Sequence, residues 1–214
     1  DQGYYWNKDN QTLEIKNLEI EKIGQGIVFK EFEHKGDVTL FLHGENKINI
    51  EAGDLTKVTG ISSDENRPNL TIKGTGSLEI TMPDLGNEGT SSYGISMYSL
   101  TVEGSASLKI TNVKAKDARG IYTSSYTTFK DNAKVEVESY GWVIDAHGGM
   151  NPKISIEVNA EFKGTAQGVD PIFFTTDGIN IEKGTTVELV RPNFTDTTGK
   201  PKFFDYGKDK TLNL

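Results

Sequence analysis

A pair of short alternating triplets recurs along this chain in fixed order, and no other feature restricts its possible folds as strongly. The clearest copy, Gly94 to Ile110, contains a Gly-Ile pair, the triplet Leu100-Thr101-Val102, a glycine at Gly104 and the triplet Leu108-Lys109-Ile110. First triplets begin at Leu40, Leu70, Leu100, Thr127, Ile154 and Ile179, with starts 30, 30, 27, 27 and 25 residues apart. Second triplets follow at Ile48, Leu78, Leu108, Val135, Phe162 and Val187. The glycine pairs are Gly26-Ile27, Gly60-Ile61, Gly94-Ile95, Gly120-Ile121, Gly141-Trp142 and Gly168-Val169.

An in, out, in triplet buries its first and third residues and exposes the middle one, as a strand with one covered face requires. Three such strands per block of roughly 27 residues describe one coil with three faces, and stacked coils give a parallel β-helix. Length variation falls in loops such as LGNEGTSSY and DENRPN, where stacked repeats tolerate it. The alternative is an antiparallel β-sandwich with strands every 8 to 12 residues, which offers no reason for the triplets to recur in order. The expectation is one all-β domain over residues 1–214, a three-faced solenoid of about six to seven coils. Six coils stacked at about 4.8 Å make a rod of roughly 29 Å. Solenoid ends need covering: residues 1–20, with Tyr4, Tyr5 and Trp6, are expected to cap one end. Residues 191–214, with Phe194, Phe203, Phe204 and Tyr206, are expected to cap the other.

Charge narrows the partners. With 23 basic against 31 acidic residues, a net of -8, the chain lacks the basic excess that nucleic acid or an anionic membrane selects. It has no cysteine, so disulfides and thiolate metal sites are excluded. No run reaches the roughly 20 apolar residues of a membrane-spanning helix. The opening DQGYYWNKDN has neither the basic region nor the apolar core of a signal peptide, so an export signal, if used, is expected to have been removed.

Counting from each glycine, with the next residue inward, the outward positions of the Gly-Ile strands include Ser96 and Tyr98, Tyr122 and Ser124, Val143 and Asp145, Asp170 and Ile172. Continuing by two adds Tyr126 and His147. The stripe Tyr98, Tyr122, Tyr126, Asp145, His147 and Asp170 combines aromatic faces with hydrogen-bonding groups, which suits sugar rings. On this count Trp142, Met97 and Tyr93 belong to the core or its corners.

No catalytic set is assigned. Asp145 and Asp170 are the best-placed carboxylate pair for glycoside hydrolysis, and Arg119, after Asp117, is the one candidate base or uronate anchor. His34, His43 and His147 show no zinc spacing, and no Gly-x-Ser-x-Gly elbow accompanies Asp145 and His147. Asp64, Glu65, Asp84, Glu88 and Asp177 lie in acidic loops without EF-hand spacing, which leaves calcium as the one metal to consider. No cofactor is expected.

The repeat Gly60-Ile61, Leu70-Thr71-Ile72, Gly76-Ser77-Leu78-Glu79-Ile80, with its copy at Gly94 to Ile110 and the opening Tyr5-Trp6-Asn7, resembles bacterial surface and secreted β-helix proteins similar to the pectin-lyase-like group. That resemblance implies a right-handed coil and an extracellular or bacterial cell-surface location. It further implies a role like that of β-helical carbohydrate-binding modules and adhesins. The expected function is non-catalytic binding of a polysaccharide, or another extracellular glycan or protein, by a monomer. The alternatives are a lyase or hydrolase acting on an acidic glycan, and a structural spacer or adhesin module.

Overall fold

The computed structural model describes residues 3–30, 36–63, 68–86, 90–149, 152–168 and 170–191, with the backbone of strands Phe204–Tyr206 and Leu212–Asn213. The chain winds through three sheets, here A, B and C, of nine, seven and seven strands. Coil four is typical, with Ser99–Val102 in sheet A, Ser107–Val113 in B and Asp117–Thr123 in C. Each strand pairs in parallel with its counterparts one coil away. The result is a right-handed parallel β-helix of about six turns. Antiparallel pairing among the described residues is confined to Gly3–Asn7 against Thr12–Lys16, which adds one strand at the edge of sheet A. There Tyr4 and Tyr5 remain 75% and 61% exposed. Phe194, Phe203 and the side chains of Phe204 and Tyr206 lie outside the described residues, as do His34, Asp64, Glu65, Arg67, Glu88 and Val169.

The triplets build the rungs as their alternation requires. Leu70, Ile72, Leu78 and Ile80 of coil three, and Leu100, Val102, Leu108 and Ile110 of coil four, point inward with at most 1% exposure. Burial contributes roughly 1.5–3 kcal/mol for each such side chain. The middle residues stack outside; in sheet A they form a threonine column of Thr39, Thr71, Thr101 and Thr128. Between A and B the chain turns through the left-handed region at Gly74 (φ 118°) and Gly104 (φ 71°). Asp131 (φ 60°) and Asn159 (φ 66°) make left-handed turns in coils five and six, which short polar side chains tolerate.

In coil two the pairing is shifted by two residues from the triplet alignment. Val38 rather than Leu40 stands against Leu70, and Asn46 rather than Ile48 stands against Leu78. A shift of two keeps every side chain on its face, so the inward assignments survive. Asn46 thus occupies a core position, 1% exposed. Its amide donates to the carbonyls of His43 (3.1 Å) and Ser77 (3.0 Å), and its oxygen accepts from the Leu18 amide (2.9 Å), joining three coils.

The Gly-Ile pairs mark a break in alternation in sheet C, where two consecutive residues face inward. Gly94 shows why the first is glycine: a Cβ there would lie 2.5 Å from the Gly120 carbonyl oxygen and 2.5 Å from Ile110 Cγ2. Gly26, Gly60, Gly94 and Gly120 form a column against the sheet B residues Ile48, Ile80, Ile110 and Val137. Beyond it the sizes are exchanged. The column continues as Val143 and Ile172, both fully buried, and Gly164 takes the place of the isoleucine in sheet B. A Cβ on Gly164 would meet Ile172 Cγ2 at 3.0 Å.

Candidate functional site

This exchange corrects the sequence alignment of the later coils and redraws the outer face of sheet C. The counterparts of Gly120-Ile121 are Val143-Ile144, not Gly141-Trp142, and Ile144 pairs in turn with Phe173. Val143 and Ile172, expected outside, are therefore core residues with 0% exposure. Trp142, expected inside, is half-buried and pairs in register with Arg119, which itself follows Tyr93. Tyr93 likewise faces outward, while Met97 is in the core as expected. One outer row reads Thr59, Tyr93, Arg119, Trp142; the next reads Ser62, Ser96, Tyr122, Asp145, Phe174.

Arg119 is the centre of these rows. Its Nε lies 3.0 Å from Asp117 Oδ1 and 3.1 Å from Asp145 Oδ2. Its guanidinium carbon lies 4.8 Å from the ring centre of Tyr122 and 5.4 Å from those of Tyr93 and Trp142, within cation–π range. The Tyr93 hydroxyl donates to Asp117 Oδ2 at 2.6 Å. Asp145 also bonds the Nδ1 edge of His147, and the His147 ring lies 5.6 Å from Tyr122 and 5.3 Å from Phe174. The Arg119 side chain retains 17% exposure while Asp145 retains 1%.

Burial dominates the electrostatics. It pushes the Asp145 carboxyl above its ordinary value, against the opposing pull of Arg119 and His147. Burial and the hydrogen bond to Asp117 push the Tyr93 phenol up as well. Asp170 is raised by burial, with Arg191 opposing.

Of the six expected ligand residues, Tyr122, Asp145 and His147 come together around Arg119. Asp145 does so as a buried support instead of an exposed contact. Tyr98 and Tyr126 stand at the corner between sheets C and A, where the Ser125 amide donates to the Tyr98 carbonyl and Tyr126 is 38% exposed. No ring contact or side-chain hydrogen bond among the described residues ties either phenol to the cluster. Asp170 is half-buried ahead of Ile172. Counting from Gly-Ile missed Tyr93, Trp142 and Phe174. The residue before each glycine carried the signal, since Thr59, Tyr93 and Arg119 precede Gly60, Gly94 and Gly120.

Among the described residues no three His, Asp or Glu side chains converge as a metal group would need, and no helix is long and apolar enough to cross a membrane. What the cluster offers chemically is half-buried rings and a guanidinium that reaches solvent, held in place by the buried Asp145 and the partly exposed Asp117. No protein-family model, curated protein or solved structure matches the chain.

Proposed function

We propose that this chain is a non-catalytic carbohydrate-binding protein, whose ligand lies along the outer face of sheet C over Tyr122, Trp142 and Arg119. The observation that carries this reading is the packing of three aromatic rings around one carboxylate-held guanidinium on an outer face. Rings in that setting stack on the C–H faces of a sugar, and a fixed guanidinium donates to hydroxyls or to an acidic substituent. The resemblance to pectin-lyase-like β-helices supports a secreted or bacterial cell-surface setting, with adhesion to glycans as the role. Titration calorimetry against soluble polysaccharides tests it. Tyr122→Ala and Trp142→Ala are each expected to weaken binding by roughly tenfold. Absence of binding at millimolar glycan, or unchanged affinity in both variants, overturns it.

One observation favours a second reading, a lyase acting on an acidic glycan. Asp145 engages His147 through Nδ1, which fixes the ring and leaves Nε2 on its opposite edge, the arrangement of an oriented general base. Here Arg119 would hold a uronate carboxylate. Release of ultraviolet-absorbing unsaturated products, lost in His147→Ala, decides for this reading; their absence decides against it.

A further inference from the structure

Sheet B carries a feature that glycan binding on sheet C does not use. Its central outer column, in register order, is Glu19, Lys47, Glu79, Lys109, Glu136, Lys163 and Glu188. The sign alternates at every coil. Alternation avoids repulsion between stacked strands, yet the column does not close on itself. Within it, ion pairs join Glu79 to Lys109 at 2.9 Å, and Lys163 to Glu136 and Glu188 at 3.8 Å. Lys47 makes no ion pair with either neighbour, and none links Lys109 to Glu136. From Glu79 to Glu188 the five side chains keep 36–60% of their exposure.

From this pattern we infer that sheet B is a self-complementary face on which a second copy of the chain docks. Two copies meeting face to face are related by a two-fold axis lying in the interface. If that axis ran along the solenoid, every residue of the column would meet itself, lysine on lysine. If it ran along the strands through one coil, like would again face like. Along the strands and between two adjacent coils, every lysine faces a glutamate.

Between coils four and five, Lys109 meets Glu136 of the second copy, Glu79 meets Lys163 and Lys47 meets Glu188. Between coils three and four, Glu79 meets Lys109, Lys47 meets Glu136 and Glu19 meets Lys163. The flanking column adds no clash. In the first setting Ser107 faces Lys134 and Ser77 faces Glu161; in the second Ser77 faces Ser107 and Glu45 faces Lys134. The charge sequence therefore selects antiparallel solenoid axes and rejects parallel ones.

The face is about 30 Å by 16 Å, so two copies would bury roughly 1,000 Å² in total, the lower end for specific association. The dimer is accordingly weak and held by charge. A shallow trough of about 330 Å³ across Lys109, Glu136 and Lys163 leaves room for water, as polar interfaces commonly have.

Sedimentation velocity of the whole chain tests the inference. A reversible dimer is expected at about 20 mM salt, with affinity lost by at least tenfold at about 500 mM, where screening shortens from roughly 20 Å to roughly 4 Å. Lys109→Glu is expected to abolish the dimer in either setting. Adding Glu136→Lys restores it if the axis lies between coils four and five; adding Glu79→Lys restores it if the axis lies between coils three and four. A chain that stays monomeric at low salt overturns the inference. So does a dimer that Lys109→Glu leaves intact, since it would then form through another surface. Circular dichroism of each variant separates loss of docking from loss of fold.

Discussion

Coils one to four and coils five to six solve the same packing problem in opposite ways. In the first group the tight corner between sheets B and C has glycine in C and a branched side chain in B, as with Gly94 beneath Ile110. In the second, Val143 and Ile172 occupy C while Gly164 occupies B. Gly164 makes the room that Ile172 fills, as close-packed interiors demand, so the small partner changes sheets there. The difference teaches that the small residue at this corner can come from either sheet and is not a motif fixed in one strand. The Arg119 cluster straddles this changeover, with Tyr93, Arg119 and Tyr122 from coils three and four, and Trp142, Asp145, His147 and Phe174 from coils five and six.

The comparison predicts unequal costs for the same substitution. Gly94→Ala forces a methyl group into a backbone carbonyl and is expected to cost on the order of 3 kcal/mol. Gly164→Ala meets first the side chains of Phe162 and Ile172, at 2.9–3.0 Å, and is expected to cost about 1 kcal/mol. Denaturant unfolding measures both; equal losses would break the distinction between the two groups of coils.

An intermediate effect is expected where the groups meet. Arg119→Ala leaves Asp145 buried beside His147 alone, and a loss of about 2 kcal/mol is expected after allowing for the partial exposure of the guanidinium. Adding Asp145→Asn should recover part of it. If the double variant is no more stable than the single, the carboxylate is not what Arg119 holds in place.

The smallest effect is a slope. Because burial raises the Asp145 carboxyl in the folded state, its contribution to stability is fully present below the ordinary aspartate value and is lost as pH rises through the raised one. Asp145→Asn is expected to flatten that fall in a series of unfolding curves from acid to neutral pH. An unchanged slope would mean that Arg119 and His147 together outweigh burial, and that the junction is better solvated than its packing implies.

The sequence disclosed the fold because leucine, isoleucine and valine alternate with polar residues in two short triplets that recur in fixed order every 25 to 30 residues. It disclosed the site only in part. Tyr122 was found because coil four keeps its glycine and so keeps the count, and Asp145 and His147 because Gly141 stands two residues before the corner, which leaves the alternation beyond it unchanged. Trp142 was misplaced because coil five does not keep its glycine at the corner: Gly141 lies two residues before the corner that Val143 fills. The column from Glu19 to Glu188 was hidden for a related reason. Its members are the outward middle residues of sheet B: from Glu79 to Glu188 they follow the triplets, but Lys47 and Glu19 join the column only once coil two is shifted by two residues around Asn46.

Asn46 has a further consequence, for how the chain finds its stacking during folding. A slide of coil two by two residues keeps every side chain on its face, so apolar burial alone does little to oppose it. The amide of Asn46 is less tolerant. Its bonds to backbone groups of Leu18, His43 and Ser77 are made with Asn46 against Leu78, and sliding coil two by two residues to the triplet alignment would strand a buried polar group at a cost of about 1–3 kcal/mol. A single residue that adds little to the core thereby acts as a register key for the start of the solenoid.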